Sequence, residues 1–298
     1  MTNHYNKRPG KTTKLAGVDN LIAVSSWALH RTIGVSYHDS PLAGPQGETQ
    51  HSKNPLALLD LPAALRKHGY SAMQLCHFHL PSREPSFAGD FRSSLRESDI
   101  QLLTVLIDEG DITDPSHGDE SLDWIESWVR TAANLGASRA RVIAGKQPYS
   151  LEAMEASVRR LKRIADVATE VGVRIETENW FPLLATPAAV HELLDQLDGA
   201  LGLCADFGNW PRPEVYDALP QIMPRAETCH AKFEFVSAAE LDLPHAGACM
   251  KIAAQAAYTG PFVLVSGGGE SDWEAMEIQR DYIRRSLNHE DRCISYKA

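Results

Sequence analysis

Short apolar segments alternate with amphipathic helical patterns along most of the chain. Residues 173–178 (VRIETE) illustrate the first kind: in a β-strand, Glu176 and Glu178 point to one face and Ile175 and Thr177 to the other. Segments of this kind predict eight β-strands, at 21–26, 71–76, 101–107, 139–144, 173–178, 200–206, 226–231 and 261–266.

Helical periodicity fills the intervals between these strands. It is clearest over 150–170, where apolar residues such as Met154, Val158 and Leu161 recur at spacings of three and four. Ser150 can cap the start of this helix, and Gly172 marks its end. The same reasoning predicts further helices near 55–68, 87–97, 120–135, 187–197, 244–257 and 272–287.

The alternation of eight strands with helices predicts an α/β fold, a (β/α)8 TIM barrel, rather than a doubly wound sheet. No GxGxxG motif follows the first strand, which disfavours a dinucleotide-binding fold. No linker divides the chain. We therefore expect one domain over 21–298, preceded by a flexible, polar N-terminal tail at 1–20.

Charge and composition narrow the class of partner. The formal net charge of -10 argues against nucleic acid or an anionic membrane, since both favour a basic surface. No apolar run reaches membrane-spanning length, and residues 1–20 lack the apolar centre of a signal peptide. The five cysteines are odd in number and scattered, which favours reduced thiols in a cytoplasmic protein.

Acidic and imidazole side chains stand at the ends of three successive predicted strands. Glu178 ends the fifth strand, with Glu176 one layer deeper, Asp206 ends the sixth, and His230 lies in the seventh. Catalytic groups of such barrels lie at the carboxyl ends of the strands. Each residue alone could be an ion-pair partner, a turn residue or a core histidine. Together they predict a site for Mn²⁺, Mg²⁺, Co²⁺ or Zn²⁺, which oxygen and nitrogen donors suit.

The segments TENW, ADFGNW and CHAKF resemble motifs of the sugar isomerase/epimerase superfamily, which has a xylose isomerase-like TIM barrel. The resemblance extends over about residues 20–287 and implies metal ligands at Glu178, Asp206 and His230. The chain departs from the family pattern at the eighth strand, where Val265 stands in place of a metal-binding glutamate. That coordination position is left to water, substrate or a residue such as Glu270.

Further polar and aromatic residues follow the strands at the same end. Candidates for proton transfer or for an oxyanion contact are His77, His79, Glu176 and Lys232. Candidates for substrate binding are Trp27, His30, Gln74, Asp108, Arg141, Trp180, Asn209 and Trp210. For the histidines and aromatics, packing of loops is the competing interpretation. An amidohydrolase-type H-x-H site at His77 and His79 is disfavoured, because in those enzymes it ends the first strand.

The glycine-rich stretch 267–270 could cradle a phosphate, but Glu270 and Asp272 would repel one, so we expect a neutral sugar or polyol. The leading hypothesis is a metal-dependent isomerase or epimerase that acts on a keto sugar or polyol through an enediolate. One alternative is a lyase or dehydratase that uses the same enediolate, for example to cleave a 3-keto-glycoside. Another is a non-catalytic sugar-binding barrel. A homo-oligomer is left open.

Overall fold

The computed structural model describes residues 21–265 and 271–287. Its strands in chain order are β1 (Ile22–Ser25), β2 (Val35–Ser40), β3 (Gly44–Gln50), β4 (Ala72–Cys76), β5 (Gln101–Ile107), β6 (Arg139–Val142), β7 (Arg174–Glu178), β8 (Gly202–Asp206), β9 (Ala226–Ala231), β10 (Phe235–Ser237), β11 (Glu240–Leu241) and β12 (Phe262–Leu264). The predicted tail at 1–20 lies outside the described residues.

Eight of these strands close into a barrel in the order β1-β12-β9-β8-β7-β6-β5-β4, with parallel pairing throughout. Each predicted strand segment contains one barrel strand, which confirms the (β/α)8 fold. The other strands form two antiparallel hairpins, β2–β3 and β10–β11, which were not predicted. The hairpin β2–β3 escaped prediction because its sequence is polar and rich in glycine, without apolar alternation.

The helices in chain order are α1 (His30–Ile33), α2 (Leu61–Lys67), α3 (Pro85–Glu97), α4 (Gly118–Leu135), α5 (Leu151–Val171), α6 (Pro187–Gln196), α7 (Val215–Ile222), α8 (Leu243–Gln255) and α9 (Asp272–Leu287). Each of the seven predicted helices overlaps one of them, whereas α1 and α7 were not predicted. Pro220 lies inside α7, and proline normally argues against a helix interior.

Helix α5 has the capping residues and the buried apolar face that its sequence predicts. The Ser150 hydroxyl accepts a hydrogen bond from the Ala153 N–H at 3.1 Å, and Gly172 ends the helix with a positive φ of 75°. Met154 and Leu161 are buried against the outer face of the barrel. Within the described residues, none of the helices combines the length and apolar character needed to cross a membrane.

The interior of the barrel contains a small apolar cluster and a larger set of polar residues. The apolar cluster comes from β1, β4, β5 and the end of the chain segment around β12, and comprises Ala23, Ala72, Leu103, Val263 and Val265. The polar residues come mainly from β6, β7, β8 and β9, with one each from β4 and β5, and are Gln74, Thr104, Arg141, Glu176, Glu178, Asp206, Thr228 and His230. The polar residues lead up to the mouth of the barrel, where the candidate site lies.

A β-bulge at Leu103 changes which residues of β5 face the interior. Met73 pairs with Leu102, but Gln74 pairs with Thr104, so Leu103 is an extra residue in β5. A bulge breaks the alternation of side chains between the two faces of a strand. Leu103 therefore joins the interior apolar cluster while Thr104, its neighbour, hydrogen-bonds to the Gln74 side chain inside the barrel.

A second bulge lies at Glu227 in β9. Leu203 pairs with Ala226, but Cys204 pairs with Thr228, so Glu227 is the extra residue. Glu227 and Thr228 consequently both supply polar groups to the lower part of the barrel.

Candidate metal centre

The three residues predicted as metal ligands converge at the mouth of the barrel. Glu178 pairs in register with Cys204, and Asp206 pairs in register with His230, so the neighbouring strands bring their ends together. The His230 Nδ1 atom lies 3.4 Å from Glu178 Oε2 and 3.6 Å from Asp206 Oδ2. All three side chains are buried.

Backbone and amide groups hold Asp206 in place. The Asn179 side chain accepts a hydrogen bond from the Asp206 N–H at 2.7 Å and donates to the Asp206 carbonyl at 3.1 Å. Asp206 Oδ1 accepts from the Gly208 N–H at 2.7 Å, which leaves Oδ2 for the site. Asn179 was not singled out from the sequence, although it directly follows Glu178.

Asn209 and Lys232, both predicted from the sequence, lie beside Glu178. Asn209 Nδ2 donates to Glu178 Oε1 at 2.5 Å, and Lys232 Nζ donates to Asn209 Oδ1 at 2.9 Å. The ammonium group makes no salt bridge to a carboxylate among the residues that the structure describes. Lys232 is half-buried at the mouth, so its remaining N–H groups are available to a substrate oxygen.

The charges of the centre are strongly interdependent. Burial alone would raise the pKa of Glu178, but His230 and Arg141 hold it well below its usual range. Burial raises the pKa of Asp206, and the facing Glu178 carboxylate adds to this effect. Burial disfavours the imidazolium, yet the adjacent Cys204 sulfur and Glu178 raise the pKa of His230 well above its usual range. Without a metal ion, the raised pKa of His230 favours an imidazolium beside the two carboxylates.

The residues fit a divalent cation. Glu178 Oε2 is buried and makes no hydrogen bond of good geometry to a described residue, although Arg141 Nε lies 3.2 Å away and His230 Nδ1 lies 3.4 Å away. A buried carboxylate oxygen without a well-directed hydrogen bond is costly, and a cation would complete its environment. Glu178, Asp206 and His230 would hold that ion through two oxygens and one nitrogen, a set suited to Mg²⁺, Mn²⁺, Co²⁺ or Zn²⁺.

Cys204 is a further potential ligand that the sequence reasoning missed. Ligand atoms of Glu178, Cys204 and His230 all lie within 4.8 Å of one another. The signal for Cys204 was its position two residues before Asp206, on the same face of β8. Burial raises the pKa of its thiol, which disfavours the thiolate needed for coordination. We therefore retain Asp206 as the third ligand.

Arg141, Asp108 and Trp180 form one wall of the mouth. Arg141 pairs with Asp108, and its Nε atom lies 3.2 Å from Glu178 Oε2. The guanidinium carbon stands 5.4 Å from the centre of the Trp180 ring. These three predicted substrate-binding residues are thus brought to the site, with Arg141 already engaged by two carboxylates.

The predicted histidines fall into two groups. His77 and His79 are buried, and burial lowers the pKa of both, that of His79 to about 3. His77 Nδ1 accepts from the Asp108 N–H at 3.2 Å, and His79 lies between Ser26 Oγ at 2.8 Å and His30 Nδ1 at 3.0 Å. His30 is only partly buried. The structure thus encloses His77 and His79 in packing contacts and leaves His30 accessible.

Trp27 and Trp210, both predicted to bind substrate, differ in exposure. Trp27 is 51% exposed at the mouth, where its ring packs near His30. Trp210 is buried, and its indole N–H donates to the Leu184 carbonyl at 3.1 Å. Burial and this contact favour a packing role for Trp210.

Glu176 and Gln74 lie deeper than the ligands. Glu176 is fully buried, which raises the pKa of its carboxyl group. Gln74 Oε1 lies 2.9 Å from His230 Nε2, so this predicted substrate-binding residue contacts a candidate ligand directly.

At the eighth barrel strand, Val265 belongs to the interior apolar cluster and offers no donor atom. Glu270, the suggested substitute ligand, and the glycine-rich stretch 267–270 lie outside the described residues. Asp272, the other acidic residue named beside that stretch, pairs with Arg31 at 2.6 Å and accepts from the Thr32 N–H at 2.9 Å.

Comparisons with known proteins agree with this architecture. A family model described as a xylose isomerase-like TIM barrel matches residues 62–233. The structure is similar to that of D-allulose 3-epimerase from Methylomonas sp., with 14% identity, a TM-score of 0.67, and coverage of 90% of this chain and 98% of that one. A comparison with curated proteins finds no match.

Two other solved structures are comparably similar. One is a xylose isomerase-like TIM barrel protein from Mycobacterium smegmatis in complex with magnesium, with 17% identity, a TM-score of 0.63, and coverage of 90% of this chain and 96% of that one. The other is the probable 3-DHS dehydratase AsbF from Bacillus anthracis, with 15% identity, a TM-score of 0.64, and coverage of 90% and 99%. At these identities the likeness shows the fold alone.

Proposed function

Because the chain belongs to the xylose isomerase-like TIM barrel family, we propose that it is a divalent-metal-dependent isomerase or epimerase of keto sugars or polyols. The observation that carries this proposal is the meeting of Glu178, Asp206 and His230 around a buried carboxylate oxygen that receives no hydrogen bond of good geometry from the described residues. The similarity to D-allulose 3-epimerase supports the choice of substrate class.

A bound cation would act as a Lewis acid on the carbonyl and neighbouring hydroxyl oxygens of the sugar. Glu178, Asp206 and His230 would hold the ion. Lys232 donates to the substrate oxygen on which negative charge develops after proton removal. It can reach that oxygen because its ammonium group lies half-buried at the mouth. Trp27, which is exposed at the mouth, offers an aromatic face to the sugar ring.

His30 is the histidine that we assign to proton transfer. Burial and the nearby His51 lower its pKa, so the imidazole is neutral at neutral pH and can accept a proton. The sequence analysis named His77, His79 and Glu176 for proton transfer, but each of these side chains is buried and enclosed by its contacts. His30 is the first residue of α1 and follows the carboxyl end of β1, the end at which the mouth lies.

Solvent exchange tests the proposal most directly. The protein, loaded with Mn²⁺ or Mg²⁺ in D2O, is incubated with a panel of ketoses, and deuterium at the carbon beside the carbonyl is measured by mass spectrometry. We expect exchange with at least one ketose in the wild type and its loss in Asp206→Asn, together with most of the bound metal. Asp217→Asn, at an exposed position of α7, is the matched control.

The products of the same incubations separate the alternatives. Epimers or isomers support the proposal, whereas elimination products identify a lyase. The lyase alternative is favoured by Val265, which removes the fourth anionic donor of the family pattern. Metal and sugar binding without any exchange would identify a non-catalytic sugar-binding barrel. Absence of stoichiometric metal would reject the proposal itself.

A further inference from the structure

A continuous line of polar side chains runs from the metal centre down through the barrel. His230 Nε2 lies 2.9 Å from Gln74 Oε1, and Gln74 Nε2 donates to Thr104 Oγ1 at 3.3 Å. Thr104 Oγ1 in turn donates to Glu176 Oε1 at 3.3 Å. These four side chains are buried and come from four different strands, so they form one polar column across the barrel interior.

The lower end of the column determines the direction of its hydrogen bonds. Thr228 Oγ1 donates to Glu176 Oε2 at 3.0 Å, and Arg139 Nη1 lies 3.5 Å from the same oxygen. With these donors at one oxygen, Glu176 is positioned to accept at the other. The Thr104 hydroxyl has a single hydrogen, which is used on Glu176, so its oxygen must accept from Gln74.

The orientation of the Gln74 amide and the tautomer of His230 follow from this direction. Since the amide nitrogen of Gln74 is used on Thr104, its carbonyl oxygen is the atom that faces His230. That oxygen can only accept, so His230 Nε2 must carry a proton. The opposite nitrogen, Nδ1, is the one that faces Glu178 and Asp206.

We propose that Glu176 is a positioning residue that acts through Thr104 and Gln74 to keep the proton on His230 Nε2 and reserve Nδ1 for the metal ion. The inference rests on the proposed function only in requiring that a metal ion binds at this centre. It gives Glu176 a role that needs no contact with substrate. Hydrogen-bond partners of this kind fix the tautomer of metal-ligating histidines in proteins.

Substitution of Thr104 interrupts the polar column without changing any of the candidate metal ligands. Thr104→Val removes the hydroxyl and frees the Gln74 amide to turn its NH2 group toward His230 Nε2. We expect this variant to bind Zn²⁺ about tenfold or more weakly in calorimetric titration, and Thr104→Ser to restore binding. Thr177→Val is the matched control, because Thr177 is equally buried on β7 but donates to the Val142 carbonyl at 2.9 Å, outside the column.

The Gln74→Glu background separates an effect of Thr104 on the orientation of residue 74 from an effect on packing. A carboxylate at position 74 has no NH2 group to turn, so in Gln74→Glu the orienting role of Thr104 becomes unnecessary. We therefore expect Thr104→Val to weaken Zn²⁺ binding far less in the Gln74→Glu background than in the wild type. An equal loss in both backgrounds, or a loss with Thr177→Val that matches Thr104→Val, would overturn the proposal.

Nitrogen NMR of Zn²⁺-loaded, ¹⁵N-histidine-labelled protein reads the tautomer itself. We expect His230 to show a protonated Nε2 and a metal-bound Nδ1 in the wild type, and Thr104→Val to lose the slowly exchanging Nε2 proton. A protonated Nδ1 with metal on Nε2 would refute the inference alone. Failure of the wild type to bind metal would instead reject the proposed function.

Discussion

Replacement of Glu227 by glutamine tests the charge balance at the base of the polar column. Glu227 accepts hydrogen bonds from Arg139 Nη1 at 2.6 Å and from Arg174 Nη2 and Nε at 2.6 and 3.3 Å. Glu227→Gln keeps the shape of the side chain but removes its charge. Among the described residues, Arg139 then keeps the Glu176 carboxylate, which it approaches at 3.5 Å, and Arg174 keeps its hydrogen bond to the Gly199 carbonyl at 2.7 Å.

The magnitude follows from burial and the number of bonds. Removal of one partner from a fully buried ion pair costs about 3–5 kcal/mol. The Glu227 side chain is 23% exposed, so solvent screening reduces the expected loss to about 2–3 kcal/mol. For a protein of this size we expect the melting temperature to fall by roughly 3–5 °C.

The effect also has a defined pH dependence. Burial opposes ionisation, but hydrogen bonds from Arg174 and Arg139 lower the pKa of Glu227 below its usual value. A depressed pKa in the folded state stabilises the protein above the unfolded-state pKa and ceases to do so as pH falls through the folded-state value. The difference between wild type and variant should therefore be full at pH 7 and narrow below about pH 4.

Urea unfolding at pH 7 and at lower pH measures this difference. Glu170→Gln is the matched control, since Glu170 pairs with Arg130 at 3.4 Å on the surface, where the same change should cost less than about 0.5 kcal/mol. Equal losses in the two variants, or a loss for Glu227→Gln that does not depend on pH, would show that the buried ion pairs contribute little.

Three further predictions concern the metal centre. Val265→Glu adds an anionic donor, so metal titration should show tighter binding. Steady-state kinetics should show slower turnover, because the substrate loses a coordination position. A gain in activity would identify the natural protein as a decayed isomerase. The pKa of His230 is raised, and a cation must displace the proton on its Nδ1 atom. Apparent metal affinity should therefore rise by up to about tenfold per pH unit below that pKa. A metal affinity that does not change with pH in calorimetric titration would contradict this. Lys232→Met should lower kcat by about 10²-fold or more with bound metal unchanged, and an unchanged kcat would exclude Lys232 from the reaction.

The sequence by itself determined the barrel and the position of its site. Side-chain alternation in strands and the spacing of three and four in helices arise from local backbone geometry, so they can be read from short windows such as 173–178 and 150–170. Parallel strands in a closed barrel all end at one mouth. That topology alone brings Glu178, Asp206 and His230 together once their strands are recognised.

What each polar residue does was decided only by tertiary structure. The local sequence pattern does not predict the bulges at Leu103 and Glu227, which bring Thr104 and Glu227 into the polar interior network. Nor does it show that His77 is enclosed. Burial and hydrogen-bond direction depend on partners that are distant in sequence: Gln74, which orients His230, lies 156 residues from it along the chain.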